Sequence, residues 1–293
     1  MAQFAYGGQA VIEGVVIRGM RTIGLAVRKP SGAIYRYREP IDSPLQRSRF
    51  ARLPFVRGVI VLWESLVIGV RMLMRSANVA LEDESVKLEG GSAVGFVVAT
   101  LAIALVLFVG LPYLATQAIH GVVTDARVAN ILEGALRMAL FLGYVTAISL
   151  LPDVRRVFAY HGAEHMTIHA FEHGDPLQPS AIEKYPTAHP RCGTAFLLLV
   201  VVVSIIAFAF LERSNPIVAL LERLVLVIPV AAISYEVLRI GARHESSPLM
   251  RILVWPGLLL QRITTRQPTR PMIEVAIASL EEALAGDGEQ RVA

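Results

Sequence analysis

The chain is short of charge and of cysteine. Charged residues fill 18% of its 293 positions, against about 25% in ordinary soluble domains. That deficit stands beside 54% hydrophobic residues and a mean hydropathy of +0.55. Together these exclude a disordered chain, a collagen-like repeat and a nucleic-acid-binding domain. One cysteine excludes a disulfide framework. Residues 1–25 hold no apolar core of signal-peptide length, so no signal peptide is expected. No internal repeat is found.

The hydrophobicity is gathered into blocks. A membrane-crossing helix needs roughly 20 mostly apolar residues, because lipid offers the backbone no hydrogen-bond partner. Four blocks fit: Val94 to Gln117, Met138 to Leu151, Thr194 to Leu211 and Ile217 to Ile240. The second is short and borrows Leu132 to Leu136 despite Glu133 and Arg137, and the fourth carries Glu222, Arg223 and Glu236. The expected fold is mainly α, a polytopic membrane protein with about four transmembrane helices. Lys and Arg collect on cytoplasmic flanks. Here they are Arg71, Arg75 and Lys87 before the first block, and Arg155, Arg156, Lys184 and Arg191 between the second and third. Arg239, Arg243, Arg251, Arg262, Arg266 and Arg270 follow the fourth. The connections at 118–134 and 212–216 carry little beyond Arg127 and Arg213. Both termini and the long middle loop are therefore expected in the cytoplasm, where Cys192 suits a free thiol or a metal ligand.

The remaining segments complete the organisation. Residues 1–54 read as a cytoplasmic β-rich region: Gly7 to Arg18 is glycine-punctuated and β-branched, and Pro30-Ser31-Gly32 turns between Leu25–Lys29 and Ala33–Arg38. Residues 55–92 form an interfacial helix and linker, because Arg57, Glu64 and Arg71 recur every seven residues on an otherwise apolar Phe55 to Met74, with Arg75 extending the line. Transmembrane pairs occupy 93–151 and 194–241, enclosing the cytoplasmic loop 152–193. The tail, 242–293, holds an interfacial or re-entrant piece (Leu249 to Gln261) and a terminal helix, Met272 to Leu284, started by Pro271 and stopped by Gly286.

Chemistry concentrates in the middle loop. His161, His165, His169 and His173 recur every four residues, so on a helix successive imidazoles drift only about 40° around the axis. Asp153 after Pro152 reads as the N-cap and Gly174 before Asp175-Pro176 as the stop. Glu164 makes the local string His-x-x-Glu-His, which sets two imidazoles one turn apart for one zinc ion, with a glutamate beside them as proton shuttle. His189-Pro190-Arg191-Cys192-Gly193 then resembles a zinc-knuckle turn, and His161, His165, His189 and Cys192 would complete a tetrahedral set for zinc or another divalent transition metal. The plain alternative is a row of solvated histidines with a structural cysteine. Four protein ligands would close the shell as a structural zinc, whereas catalysis needs an open position; spacing alone leaves that fork open.

Gly7-Gly8-Gln9-Ala10-Val11-Ile12-Glu13-Gly14-Val15, Tyr160-His161-Gly162-Ala163-Glu164-His165 and His189-Pro190-Arg191-Cys192-Gly193-Thr194 resemble the signature strings of the YqhQ family, a bacterial family of unknown function described as predicted metal-dependent enzymes. The resemblance extends to Thr264-Thr265-Arg266-Gln267-Pro268 and the terminal helix. It implies the inner membrane and a metal site, and supplies no substrate. In that family's pattern the positions of His169 and His173 are not regularly histidine, which leaves them outside the ligand set. The N-terminal string adds Gln9 and Glu13, as a further ligand or as partners orienting a histidine, against the plain reading of a turn with a solvated carboxylate. Glu64 and Glu236 are near-membrane carboxylates, and Glu236 is expected to snorkel or to pair with Arg239 or Arg243 rather than to serve the metal.

The expected function is a metal-dependent membrane hydrolase with Glu164 as general base. It would act at the cytoplasmic face on a lipid-linked, peptide or membrane-protein substrate, with the lipid bilayer its standing partner and nucleic acid none. The alternative is a non-catalytic assembly or translocation factor in which zinc staples the loop. A transporter ranks last, since the first and third blocks hold no ionisable residue.

Overall fold

The computed structural model describes residues 6–43, 45, 51, 53–81, 90–212, 215–243 and 247–288. It opens with four strands, β1 (Gly7–Val11), β2 (Gly14–Arg18), β3 (Thr22–Arg28) and β4 (Ile34–Pro40), paired in sequence order as an antiparallel meander. The Gly7 to Arg18 stretch is a hairpin, with Val11 paired to Gly14 across a two-residue turn. Glu13, the second residue of that turn, has φ 54°, a left-handed conformation uncommon for a residue with a side chain. The expected turn at Pro30 to Gly32 joins β3 to β4, with Gly32 at φ 86°.

Both faces of this sheet are covered, which explains why β2 and β3 read as continuous apolar runs. On one face Val15, Ile17 and Ala26 pack against α5 (Pro152–His173) and α10 (Arg270–Asp287). On the other, Val16, Leu25 and Val27 pack with Met72 of α1 (Val56–Ala80). The terminal helix is thus part of the N-terminal unit. Its stop is Gly288, at φ 81°, and Gly286 lies inside the helix. Gly286 serves contact instead: a Cβ there would sit 2.3 Å from the Thr22 methyl. Asp287 clamps the other end of the sheet, accepting from the N–H groups of Met20 (2.6 Å) and Arg21 (2.8 Å).

The polar line on α1 is spent on protein. Arg57 pairs with Glu236, Arg71 reaches Glu39 at 2.8 Å, and the Arg75 guanidinium lies 3.6 Å over the Tyr37 ring. Glu236 takes Arg57 as its hydrogen-bonded partner, with Arg239 acting only as a weaker nearby charge, and also accepts from the Phe55 N–H at 3.1 Å; the Arg243 side chain lies outside the described ones. A tertiary cation and a free helix-start N–H outcompete a neighbour on the same helix. Trp63, Val59 and Val67 on α1 remain exposed.

Helix α2 (Gly90–Leu105) passes through one π-helical turn, Val106–Gly110, into α3 (Leu111–Ala118), and α4 (Ala126–Ile148) follows. After α5 come the short α6 (Pro179–Ile182), α7 (Thr194–Phe208), α8 (Pro216–Arg243) and α9 (Pro248–Thr264). Among the described residues, three helical stretches are long and apolar enough to cross a membrane: Gly95–Ala118, Ala126–Ile148 and Pro216–Gly241. The sequence leads to four. The Thr194 to Leu211 block folds as a helix of 15 residues, about 22 Å long at 1.5 Å per residue, short of the roughly 30 Å hydrocarbon core.

The second span begins twelve residues before Met138 and contains both Glu133 and Arg137. Their charges are compensated inside the bundle. Arg137 donates to Glu133 at 2.6 Å and to the Phe108 carbonyl of the π turn at 2.7 Å. Arg223 of α8 donates to the same carboxylate at 2.9 Å and to the Asn130 side chain at 2.8 Å. On α5, Pro152 takes the first helical position and Leu151 the cap position. Asp153 falls in the first turn rather than at the cap, where its charge still favours the helix N-terminus. The expected stop holds, with Gly174 left-handed at φ 77°.

Candidate metal centre

Helix α5 gives this region its rigidity, buried between the sheet and α10 over most of Ala159 to Phe171. Its one helical glycine, Gly162, sits where the 264–266 segment crosses. A Cβ there would lie 2.2 Å from the Arg266 carbonyl oxygen. That close crossing lets Thr264, at the end of α9, present its carbonyl to His161.

Backbone carbonyls anchor three imidazoles in turn. His161 Nδ1 lies 2.9 Å from Thr264 O, His165 Nδ1 2.7 Å from Thr187 O, and His169 Nε2 2.9 Å from Ala188 O. A carbonyl only accepts, so each of those nitrogens is an N–H and donates, and the opposite nitrogen keeps its lone pair. Metal-binding histidines are oriented in this way. His161 Nε2 lies 3.2 Å from Cys192 Sγ, and the rings of His161 and His165 stand 4.3 Å apart between centroids. The ligand atoms of His161, His165 and Cys192 all lie within 4.8 Å of one another. The Cys192 sulfur also receives the Thr194 N–H at 3.4 Å, with the Thr194 hydroxyl at 3.2 Å. Burial pushes the His165 pKa down, against the opposing effect of its hydrogen bond to Cys192, which biases this imidazole toward its neutral form.

Glu164 is buried beside them. Its Oε1 accepts the Gly8 N–H at 2.9 Å, and its Oε2 lies 3.5 Å from His165 Nε2. Desolvation raises its pKa, opposed by the charges of His161 and His189 and by the Gly8 N–H. A carboxylate whose proton affinity is raised is a stronger base than an exposed one. These groups line a cavity of about 420 Å³, walled by β1, α5 and the 189–194 turn, with Val157, Phe158 and Leu197 supplying apolar wall.

His189 is held differently from its expected partners. Gln261 of α9 brackets its backbone, accepting from the His189 N–H at 2.7 Å and donating to its carbonyl at 3.0 Å. The ring lies 5.7 Å from that of His165 but 4.5 Å from that of His169. The structure therefore groups His189 with His169 and Glu172, whose ligand atoms also fall within 4.8 Å of one another. Gln9 lines the cavity, with its amide against Gly69 of α1. Glu13 lies outside the cavity and clamps the hairpin turn to α5 through Arg156 (2.6 Å to Nη2) and the Tyr160 hydroxyl (3.2 Å). Sequence reasoning misses Gln261, the three anchoring carbonyls and the Gly8 N–H. It also misses Glu172, whose signal was present: it lies three residues past His169, on the same helix face.

Residues 53–286 match a family described as Protein of unknown function (DUF1385). Over 293 aligned residues the chain is 30% identical to the Uncharacterized protein YqhQ of Bacillus subtilis (strain 168), covering 96% of this chain and 92% of that protein. No solved structure matches.

Proposed function

The chain belongs to the DUF1385 family, and we propose that it is a zinc-dependent membrane hydrolase whose ion is held by His161, His165 and Cys192 with Glu164 as general base. One observation carries this reading. Three donor groups converge at ligand spacing next to a buried carboxylate that is not among them. The donors fit such an ion chemically: two imidazoles, each with one nitrogen already committed to a backbone carbonyl, and a sulfur that receives the Thr194 N–H beside the Thr194 hydroxyl. Three protein donors leave the open position that catalytic sites keep. When bound, the ion supplies Lewis acidity toward a carbonyl or phosphoryl oxygen and toward water.

The chain's own residues do the rest. The Gly8 N–H fixes Oε1 of Glu164, leaving Oε2 to take the proton of the attacking water and pass it to the leaving group. The buried wall raises that carboxylate's proton affinity. The apolar side of the cavity, at the foot of α7, favours a lipid-linked substrate, a peptide or a membrane-embedded protein segment.

Topology supports a cytoplasmic site in an inner membrane. The sheet, α5 and α10 form one core, so the chain crosses an even number of times between β4 and α5, and again between α5 and α10. The two spans before α5 satisfy the first condition. The second pairs α8 with a return crossing, for which α7, packed along α8, is the candidate. Four crossings with both termini inside then agree with the basic loops.

Replacing Glu164→Gln tests the catalytic role. The expected outcome is full metal content and an unchanged melting curve with loss of complementation in a deletion strain. Full complementation would contradict it. The competing reading, an assembly or translocation factor with a stapling zinc, requires His189 as a fourth ligand. X-ray absorption at the zinc edge of His169→Ala, which leaves the Cys192-containing group as the site in question, separates the two: two imidazoles and one sulfur support the hydrolase, three imidazoles and one sulfur the staple.

A further inference from the structure

We propose that His169, Glu172 and His189 form a second divalent-cation site, beside the thiolate-containing one, so that the 152–193 loop holds two ions. The claim stands on its own residues. Only its catalytic meaning, a pair of ions acting on one substrate, rests on the hydrolase reading.

The donor set is two imidazoles and a carboxylate, the combination found in several zinc hydrolases. His169 is prepared for this role by two contacts. Its Nε2 donates to the Ala188 carbonyl at 2.9 Å, and its ring stacks on Tyr185 at 5.9 Å with 8° between planes. One nitrogen is thereby committed and the ring plane held, leaving Nδ1 as the donor.

His189 and Glu172 supply the other two donors. His189 Nε2 and Glu172 Oε2 lie 3.5 Å apart, at the outer limit for a hydrogen bond; Nδ1 of that ring accepts the Arg191 N–H at 3.3 Å, so an ion at Nε2 would move the ring proton to Nδ1 at the loss of that long contact. Two donors each about 2.1 Å from a tetrahedral ion stand roughly 3.4 Å apart, so the same spacing accommodates a shared ion. Glu172 is oriented through its other oxygen by the Arg191 guanidinium. It is the most exposed member and gives the ion a way in from solvent. The every-four-residue histidine spacing acquires a purpose on this basis: His161 and His165 serve the first ion, and His169, one turn further, serves the second. His173 belongs to neither group; its ring bonds the His169 carbonyl at 2.7 Å on the exposed surface. The alternative role for Glu172 is to orient His189 toward the first ion.

Cobalt titration of the detergent-solubilised full-length apoprotein distinguishes these cases, because one site contains a thiolate and the other does not. The wild type should bind two equivalents, one of them giving thiolate-to-cobalt charge-transfer absorption. His169→Ala and Glu172→Gln should each bind one equivalent and keep that band, with His173→Ala unchanged at two. Cys192→Ala should lose the band and retain one equivalent, which shows the second site independently of the first. A wild type that binds a single equivalent overturns the second site. So does an intact two-equivalent stoichiometry in both His169→Ala and Glu172→Gln. A Glu172→Gln variant that folds with the wild-type melting temperature but loses the thiolate band assigns Glu172 to orienting His189, and also overturns the proposal.

Discussion

Gly162 and Gln261 do for this site what no ligand can do for itself. Gly162 admits the chain segment that anchors His161, and replacing it with Ala would press a Cβ to 2.2 Å from the Arg266 carbonyl oxygen. Backbone cannot yield as a side chain can, so the expected cost is about 1–3 kcal/mol. It should appear as a lowered melting temperature with weakened metal retention, and an unchanged melt would contradict the crossing. Gln261→Leu removes both partners of a buried backbone N–H and C=O at His189, at a cost of about 1–3 kcal/mol for each group left unsatisfied. Thermal unfolding and metal content together check this. The ligand-type residues are legible in the sequence because few side chains can do their work, and four-residue spacing places them on one helix face. The anchors are not legible, since any residue supplies a carbonyl. Glu13 shows the opposite failure: a carboxylate in a distinctive string is spent on Arg156, a partner 143 positions away.

At the scale of elements, the charged cluster of α4 and α8 explains why the second apolar block looks too short to span. Glu133 and Arg137 interrupt it, and Arg223, which pairs with Glu133, lies too far along the chain for pattern to reveal. Within the bundle the three side chains and Asn130 satisfy one another. Glu133→Gln would leave two guanidinium groups facing each other without a counter-charge. Removing one member of a buried ionic set costs about 3–5 kcal/mol, so the variant should unfold at markedly lower temperature in detergent. A melt within a degree or two of wild type would contradict this role. The sheet was more readable. β-branched runs and a Pro-Ser-Gly turn announce it, although its coverage on both faces, and hence the docking of α10, depends on contacts from opposite ends of the chain.

For the molecule as a whole, the sheet, α5 and α10 share one core, so whatever part of the chain between them crosses the membrane must also return to the same side. That constraint bears most on α7, whose 15 residues are short for a crossing. Reporter fusions after residues 125, 175 and 211 test it. The first and last should report from outside, the middle one from inside. A cytoplasmic signal after 211 would remove α7 from the spans, and an external signal after 175 would overturn the placement of the site. The central claim is the ion itself. Its most direct test is elemental analysis of the protein purified without chelators or metal-affinity resin, beside Cys192→Ala prepared identically. The expected result is stoichiometric zinc in the wild type and loss of the thiolate-bound equivalent in the variant; a wild type free of transition metal, or a variant with undiminished zinc, would contradict it.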